Sequence, residues 1–174
     1  TVAFMEAMGI ARAHIVGWSD GSIIGMIMAI RRPDLVRTLV SIGGNFHYDG
    51  LTTEFRESML AWTPETFFQP LVELHGRISP DGPEGFGVML KKVVENASTG
   101  PTLTPADLAK IAAPTLVLAG DDDCCPLEHT IELYRSVPNA QLCIVPGASH
   151  LFEEPGTLER VAELARDWFA AHLR

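Results

Sequence analysis

The sequence predicts an α/β fold built on a mostly parallel sheet, because short apolar segments alternate with segments of helical length. Residues 13–16 and 35–42 are strand-like and lie on either side of an apolar, helix-length stretch. Residues 115–119 and 141–145 repeat this arrangement later in the chain. A succession of apolar strand, helix and strand favours parallel pairing with right-handed crossovers. We therefore expect four strands in one sheet, flanked by helices.

Helices are predicted around these strands from the apolar periodicity and from end signals. Residues 20–32 are apolar on nearly every face, which is typical of a buried helix, and Pro33 ends the segment. The last predicted helix is amphipathic, so we expect its apolar side to pack on the sheet. The predicted helices outside the central stretch are residues 1–8, 20–32, 104–111, 126–137 and 155–173.

The stretch between the second and third strands contains no clear strand and predicts a helical insertion. Thr63 and Pro64 indicate a helix start, residues 79–87 favour a loop, and residues 86–96 favour another helix. An insertion after the carboxyl end of a strand is placed to cover a site there. The predicted organisation is a partial core at residues 1–45, a helical cap at 46–105 and the rest of the core at 106–174.

The composition excludes some classes of partner and leaves a small-molecule substrate as the expected one. The chain has 174 residues with 22 acidic and 13 basic side chains, a net charge of −9, which disfavours nucleic acid and anionic membranes. Its three cysteines form no disulfide framework, which favours a reducing compartment and hence the cytoplasm. No apolar run reaches the length of a membrane span, and the first residues show no signal-peptide pattern.

Residues 17–21 read Gly-Trp-Ser-Asp-Gly, a serine between two glycines at the junction of a strand and a helix. This context is that of a nucleophile elbow, a sharp turn that lifts a serine hydroxyl above the sheet. A turn so tight leaves little room for flanking side chains, so we expect both Gly17 and Gly21 to be required. The first backbone N–H groups of the helix would then lie beneath a reacting oxygen.

Two further residues follow later strands in the order that a serine hydrolase needs. Asp123 comes after the third strand and His150 after the fourth. Parallel strands bring their carboxyl ends to one edge of the sheet, so we expect Ser19, Asp123 and His150 to meet. Serine is a weak nucleophile that needs a neutral imidazole as base, and a carboxylate fixes the tautomer of that imidazole.

With these motifs the chain resembles the carboxyl-terminal two thirds of an α/β-hydrolase of the esterase type. The elbow, the segment Arg32-Pro33-Asp34-Leu35-Val36 and the pair Gly43-Gly44 are similar to the valacyclovir-hydrolase-like branch. The resemblance implies that Ser19 is the nucleophile, His150 the general base and Asp123 the residue that orients it. It also implies an oxyanion donor at the backbone N–H of Asp20, and in this branch the Asp20 carboxylate would bind a substrate α-amino group.

The sequence departs from this family in three respects. Ser22 stands where a further glycine is usual, which we expect to be tolerated. Only Cys124 and Cys125 separate Asp123 from Pro126, so an alignment anchored on the proline would make Asp122 the acid. The family's sheet has eight strands and this chain supplies four, so we expect an N-terminally truncated form that lacks the second oxyanion donor. We expect that form to be weak or inactive alone.

Each of the remaining candidate residues can also be explained by a purely structural role. Asp20 in a first helical turn is stabilised by the helix dipole whatever the substrate. Trp18 and His47 are predicted to line the substrate site, although either could simply fill space. The scattered histidines suggest no metal site, and no cofactor is implied.

The predicted function is hydrolysis of a carboxylic ester. The alternatives are hydrolysis of a lactone, an amide or a C–C bond, or a binding protein of the same fold without catalytic activity. Oligomeric state is open, but an exposed edge strand would favour pairing with another chain.

Overall fold

The computed structural model describes residues 1–172, and its centre is a four-stranded parallel sheet. The strands lie in chain order, β1-β2-β3-β4, and every neighbouring pair is parallel. Their bounds are β1 Ala13–Trp18, β2 Val36–Ile42, β3 Thr115–Asp122 and β4 Ala140–Ser149. All four predicted strands are confirmed. Three extend beyond the predicted segments, and β2 begins one residue later.

Helices cover both faces of this sheet because its strand residues alternate between two apolar cores. Leu39 and Val117 belong to the core beneath the helices at residues 20–31 and 127–136, whereas Val40, Leu116 and Leu118 belong to the core beneath the helix at residues 157–172. This alternation is the period of two that a strand imposes on its side chains. The helices are α1 Val2–Ala7, α2 Asp20–Arg31, α3 Thr53–Leu60, α4 Gln69–Ile78, α5 Gly85–Thr99, α6 Pro105–Leu108, α7 Leu127–Ser136 and α8 Thr157–His172.

The segment between β2 and β3 is helical, as predicted, but its helices differ from the expected ones. Helix α3 was missed, and Thr63 lies in a turn, where its hydroxyl and that of Thr66 bond locally instead of capping a helix. The predicted loop at 79–87 ends earlier, because α5 begins at Gly85. The predicted last helix reached residue 173, which lies outside the described residues. Within residues 1–172, no helix combines the length and apolarity that crossing a membrane would require.

Strand β1 forms an edge of the sheet among the described residues, and several apolar side chains are exposed there. Val16 and Trp18 on β1 are 55% and 46% exposed. Ile24 on α2 is also 46% exposed, although most of this helix is buried or half-buried, as its apolar pattern predicted. Pairing of this edge with another chain stays a prediction.

Gly17 and Gly21 of the elbow differ sharply in how much space surrounds them. A Cβ at Gly17 would overlap the backbone of Gly21 and Ser22, whereas a Cβ at Gly21 would meet nothing within 4 Å. The helix therefore packs directly on the strand at Gly17. The expectation that both glycines are required is wrong for Gly21.

Gly17→Ala is expected to destabilise the protein strongly, because backbone at the elbow cannot move aside as a flexible side chain would. We expect a loss of about 2–4 kcal/mol in the free energy of unfolding, in the range of severe overpacking and strain. Gly21→Ala is the matched control, and alanine inside α2 should be neutral or stabilising by up to about 1 kcal/mol. Urea denaturation of both variants measures the difference. Equal stabilities would contradict this packing.

Candidate active site

Ser19 lies at the junction of β1 and α2 and is held in an unusual backbone conformation. Its φ is 54° and its ψ is −121°, a combination that a residue with a side chain rarely adopts. Its backbone N–H donates to Ile42 O at 2.9 Å, and its carbonyl accepts from the N–H of Ser22 at 2.9 Å. Strand β2 and the first turn of α2 thus hold the strained residue, with its side chain above the sheet.

Asp123 and His150 come directly after the ends of β3 and β4, and the sheet brings both beside Ser19. His150 Nε2 is 3.0 Å from Ser19 Oγ. His150 Nδ1 is 2.9 Å from Asp123 Oδ1, and that oxygen also accepts the Cys125 N–H at 3.1 Å. The Asp123 side chain is fully buried and the His150 side chain is 18% exposed. The structure therefore joins the three predicted residues in one hydrogen-bonded chain.

The length of β3 determines which of the three consecutive aspartates faces His150. Asp122 is the last residue of that strand, pairs with Ser149 of β4 and is exposed. The next residue, Asp123, then turns inward to His150. Asp121 accepts the N–H of Gly147 at 2.6 Å and so links β3 to the part of β4 that precedes His150.

Gly43 leaves room for the side chains of Asp123 and His150 to approach each other. This residue has a φ of 53°, and a Cβ there would lie 3.1 Å from both Asp123 Oδ2 and His150 Nδ1. Any side chain would therefore press on the contact between these two residues. The sequence carried a signal for this role, since Gly43 follows β2 at the same edge of the sheet, but we had used it only as a strand end.

The side chains of Asp123 and His150 shift each other's pKa. Burial disfavours the charged imidazole of His150, but hydrogen bonding with Asp123 and the neighbouring Cys124 thiol together outweigh it and raise the pKa of His150 above its ordinary 6.5. Burial likewise opposes ionisation of Asp123, yet the hydrogen bond with His150 outweighs it and lowers the pKa of Asp123. Asp123 is thus ionised at neutral pH, and its charge would stabilise an imidazolium at His150.

The raised pKa of His150 predicts the pH dependence of any reaction that uses it as a base. Only neutral imidazole can accept the Ser19 proton, so kcat/KM should rise with pH through the pKa of His150 in the free protein. We expect half-maximal kcat/KM above pH 6.5, and a shift to lower pH in Asp123→Asn. A profile of kcat/KM for an uncharged ester between pH 5 and 10 measures this. A midpoint below 6.5 in the unaltered protein would contradict the assignment.

A cavity of about 110 Å³ opens at Ser19 and His150 and is partly covered by the helical segment between β2 and β3. Phe55, Met59, Trp62, Val93 and Ala97 from this segment line it together with Asp20. A second, apolar groove of about 560 Å³ adjoins the same serine on the side of α4. Its walls include Trp18, Phe55, Trp62, Phe67, Phe68, Leu71 and Leu151.

The predicted binding residues occupy different positions relative to these cavities. Asp20 is exposed and borders both. Trp18 borders the groove, and its Nε1 donates to the carbonyl of His150 at 3.0 Å, a positioning contact that the sequence did not reveal. His47 lines neither, which corrects its prediction as a binding residue. Its Nδ1 accepts the N–H of Asp49 at 3.2 Å, and its backbone pairs with Thr102.

Both adjacent cysteines line the cavity, a position that we had not predicted for them. Cys125 is buried and Cys124 is partly exposed, and both are free thiols. Within residues 1–172, Asp123, Cys124 and Cys125 form the one group of three or more potential metal-ligating side chains whose donor atoms converge. None of the described histidines belongs to this group.

Comparison with known proteins supports the same fold. One solved structure, the meta-cleavage product hydrolase CumD of Pseudomonas fluorescens IP01, matches 98% of this chain and 69% of its own with a TM-score of 0.70 at 18% identity. Among curated proteins, the 2-hydroxymuconate semialdehyde hydrolase of Pseudomonas putida is 28% identical over 97% of this chain. The chain spans 66% of that enzyme's length.

A shorter and stronger local match has a different name. A 74-residue segment is 50% identical to part of a Mycobacterium tuberculosis protein that bears a provisional phosphoribosyl transferase name. The match covers 42% of this chain but only 17% of that protein, so it compares one segment and not the whole activity.

The family profile settles the assignment that the fold and the elbow suggest. The profile described as the alpha/beta hydrolase family matches residues 2–166, which is nearly the whole chain. The same residues contain the parallel sheet, the elbow at Ser19 and the positions of Asp123 and His150. The chain therefore belongs to the alpha/beta hydrolase family.

Proposed function

We propose that this protein is a serine hydrolase that cleaves carboxylic esters of small molecules through an acyl-enzyme. The single observation that carries the proposal is the continuous chain from Ser19 Oγ to His150 Nε2, at 3.0 Å, and from His150 Nδ1 to Asp123 Oδ1, at 2.9 Å. Both distances lie within the reach that proton transfer from a nucleophile to its base requires. Membership in a family of hydrolases supports the same reading.

In this mechanism Ser19 Oγ attacks the ester carbonyl while His150 Nε2 accepts its proton. The backbone N–H of Asp20, the residue after the nucleophile, donates to the developing oxyanion. His150 then passes the proton to the leaving alcohol as the C–O bond breaks, which leaves an acyl group on Ser19. A water molecule repeats the sequence and releases the acid. The ionised Asp123 holds the imidazole and stabilises its charged form throughout.

The apolar groove beside Ser19 favours a substrate that carries an apolar substituent on one side of its ester. Its lining is mainly aromatic and aliphatic, and burial of such a group there would provide binding energy of about 25 cal/mol per Å² of apolar surface. We expect kcat/KM for aryl or branched esters to exceed that for acetate esters. Leu71→Asp, at the outer wall and 47% exposed, should reduce this preference.

The position of Asp20 favours a refinement towards esters of α-amino acids. Its carboxylate is exposed and borders both cavities next to the nucleophile, where it can reach a substrate ammonium group. We expect an α-amino ester to be cleaved faster than its des-amino analogue, and Asp20→Asn to reduce that ratio. An unchanged ratio in the variant would reject the refinement and leave the esterase proposal intact.

Hydrolysis of a meta-cleavage product or of a muconate semialdehyde is the second candidate, because two of the compared proteins are named for those substrates. They are the meta-cleavage product hydrolase and the 2-hydroxymuconate semialdehyde hydrolase described above. The same serine, histidine and aspartate would serve, so the cavity and not the triad decides between the reactions. Turnover of 2-hydroxymuconate semialdehyde with no turnover of any ester would favour this candidate.

The test of the main proposal is hydrolysis of a panel of p-nitrophenyl and amino-acid esters by the purified 174-residue chain. We expect a burst of alcohol release that equals the enzyme concentration wherever deacylation is slow. Ser19→Ala is the control in every assay. Hydrolysis that is the same in the control would reject the proposal.

A further inference from the structure

Three donor atoms converge where the acid of the triad meets the cysteine pair. The carboxylate of Asp123 and the Sγ atoms of Cys124 and Cys125 lie within 4.8 Å of one another. Three consecutive residues rarely point their side chains to one place, because successive side chains usually diverge. Here the turn after β3 brings them together, and Cys124 and Cys125 both face the cavity that holds Ser19 and His150.

The carboxylate in this group has an unsatisfied oxygen. Asp123 Oδ1 accepts from the Cys125 N–H and from His150, but Asp123 Oδ2 is buried and has no hydrogen-bond partner among the described residues. The side chain as a whole is fully buried. A buried polar atom without a partner destabilises the fold, and a ligand that coordinates the carboxylate would remove that cost. This orphan oxygen is independent of the cysteines and points to a cation.

The donor set selects the kind of cation. Two thiolates and one carboxylate match the soft and intermediate ligands of Zn²⁺, which takes three protein ligands and leaves its fourth position to water in open sites. Ligand atoms around tetrahedral Zn²⁺ lie about 3.3–3.8 Å apart, given bonds of about 2.0–2.3 Å. The three donor atoms already lie within 4.8 Å of one another, so a bound ion would draw them closer together.

We propose that Asp123, Cys124 and Cys125 bind Zn²⁺, and that the bound ion inhibits the hydrolase by taking the carboxylate that orients His150. Two Sγ–metal bonds form as two thiol protons leave to solvent, and no electron transfer is involved. Coordination through Oδ2 leaves Oδ1 beside His150 Nδ1 at 2.9 Å, but it neutralises the carboxylate, which then no longer stabilises an imidazolium that has taken the Ser19 proton. The inhibition rests on the proposed function, whereas the metal binding does not.

Binding is tested first without any activity assay. Co²⁺ is titrated into the metal-free 174-residue chain, and a near-ultraviolet thiolate-to-cobalt charge-transfer band is expected, which Zn²⁺ then bleaches at one equivalent. Cys124→Ser and Cys125→Ser should each weaken Zn²⁺ binding at least about 10–100-fold, since changes around metal ligands already cost that much. Cys143→Ser is the matched control, because this third free cysteine lies on β4 outside the group. The Co²⁺ spectrum of the unaltered protein tests whether the metal site exists even where a variant fails to fold.

Inhibition is tested second, as the ratio of ester hydrolysis with and without Zn²⁺ for each protein. The unaltered protein and Cys143→Ser should lose activity with Zn²⁺ and regain it with EDTA, whereas the other two variants should be insensitive. Absence of the charge-transfer band in the unaltered protein, or equal Zn²⁺ affinity in all variants, would overturn the site. A band with no hydrolysis before metal addition would keep the site and reject the esterase.

Discussion

Ser19→Ala is expected to lower kcat for ester hydrolysis by about 10⁶-fold, the scale seen when a nucleophile that acts with its base is removed. The expectation follows from the 3.0 Å contact between Ser19 Oγ and His150 Nε2, since no other hydroxyl is shown in contact with that nitrogen among the described residues. The loss should appear in kcat, because the substrate still binds in the cavity. Steady-state kinetics with an active p-nitrophenyl ester measure it.

Ser22→Ala is the matched control for this experiment. Ser22 lies on the same helix, but its hydroxyl is buried and bonds to Ser41 instead of facing the cavity. We expect this variant to lose some stability and to keep most of its turnover. Comparable losses in the two variants would mean that the elbow has been damaged in both, and turnover by Ser19→Ala at the wild-type rate would remove Ser19 from the mechanism.

Asp123→Asn is expected to lower kcat by about 10⁴-fold while the fold stays intact, because an amide at this position would hold His150 in the wrong tautomer. The neutral side chain also no longer stabilises the imidazolium, so the pKa of His150 should fall. Kinetics together with circular dichroism separate this effect from unfolding.

Asp122→Asn provides the control for the ambiguous register of the aspartates. Asp122 is exposed at the end of β3, and the carboxylate that His150 Nδ1 meets is that of Asp123, so this variant should retain nearly full activity. If Asp122→Asn loses activity and Asp123→Asn does not, the acid has been assigned to the wrong residue.

Much of the sheet could be predicted from sequence because the signals for its strands and turns lie within short segments of the chain. Apolar strands separated by helix-length segments, glycines beside Ser19 and an acid and a histidine after later strands are all features of short segments. The order of those segments then predicts where their ends meet, since parallel strands collect their carboxyl ends at one edge. Ser19, Asp123 and His150 could therefore be placed together although about 100 residues separate the first from the second.

The segment between β2 and β3 could be predicted only in outline. Its helices are short and pack on one another and over the sheet, so tertiary contacts outweigh local propensity. Thr63 and Pro64 carried a plausible helix start, yet the chain makes a turn there and α4 begins only at Gln69. The same dependence on packing explains His47, whose position after β2 suggested the cavity but whose ring bonds to Asp49 instead.

Close backbone approach is the other feature that sequence reasoning could not decide. Gly17 and Gly21 flank Ser19 symmetrically in the motif, yet only Gly17 lies against other backbone atoms. Asp122 and Asp123 are chemically identical, and only the end of β3 shows which one turns inward. The first distinction depends on how α2 packs on β1, and the second on a difference of one residue in register.

Covalent labelling with a fluorophosphonate tests the central claim most directly, because the reagent phosphonylates a serine only when a neighbouring base activates it. The account predicts one adduct per chain, mapped to Ser19 by mass spectrometry, that disappears in Ser19→Ala and is strongly slowed in His150→Ala. A folded protein that takes up no label, or that carries the label on another residue, would contradict it and would favour a binding protein on the same fold.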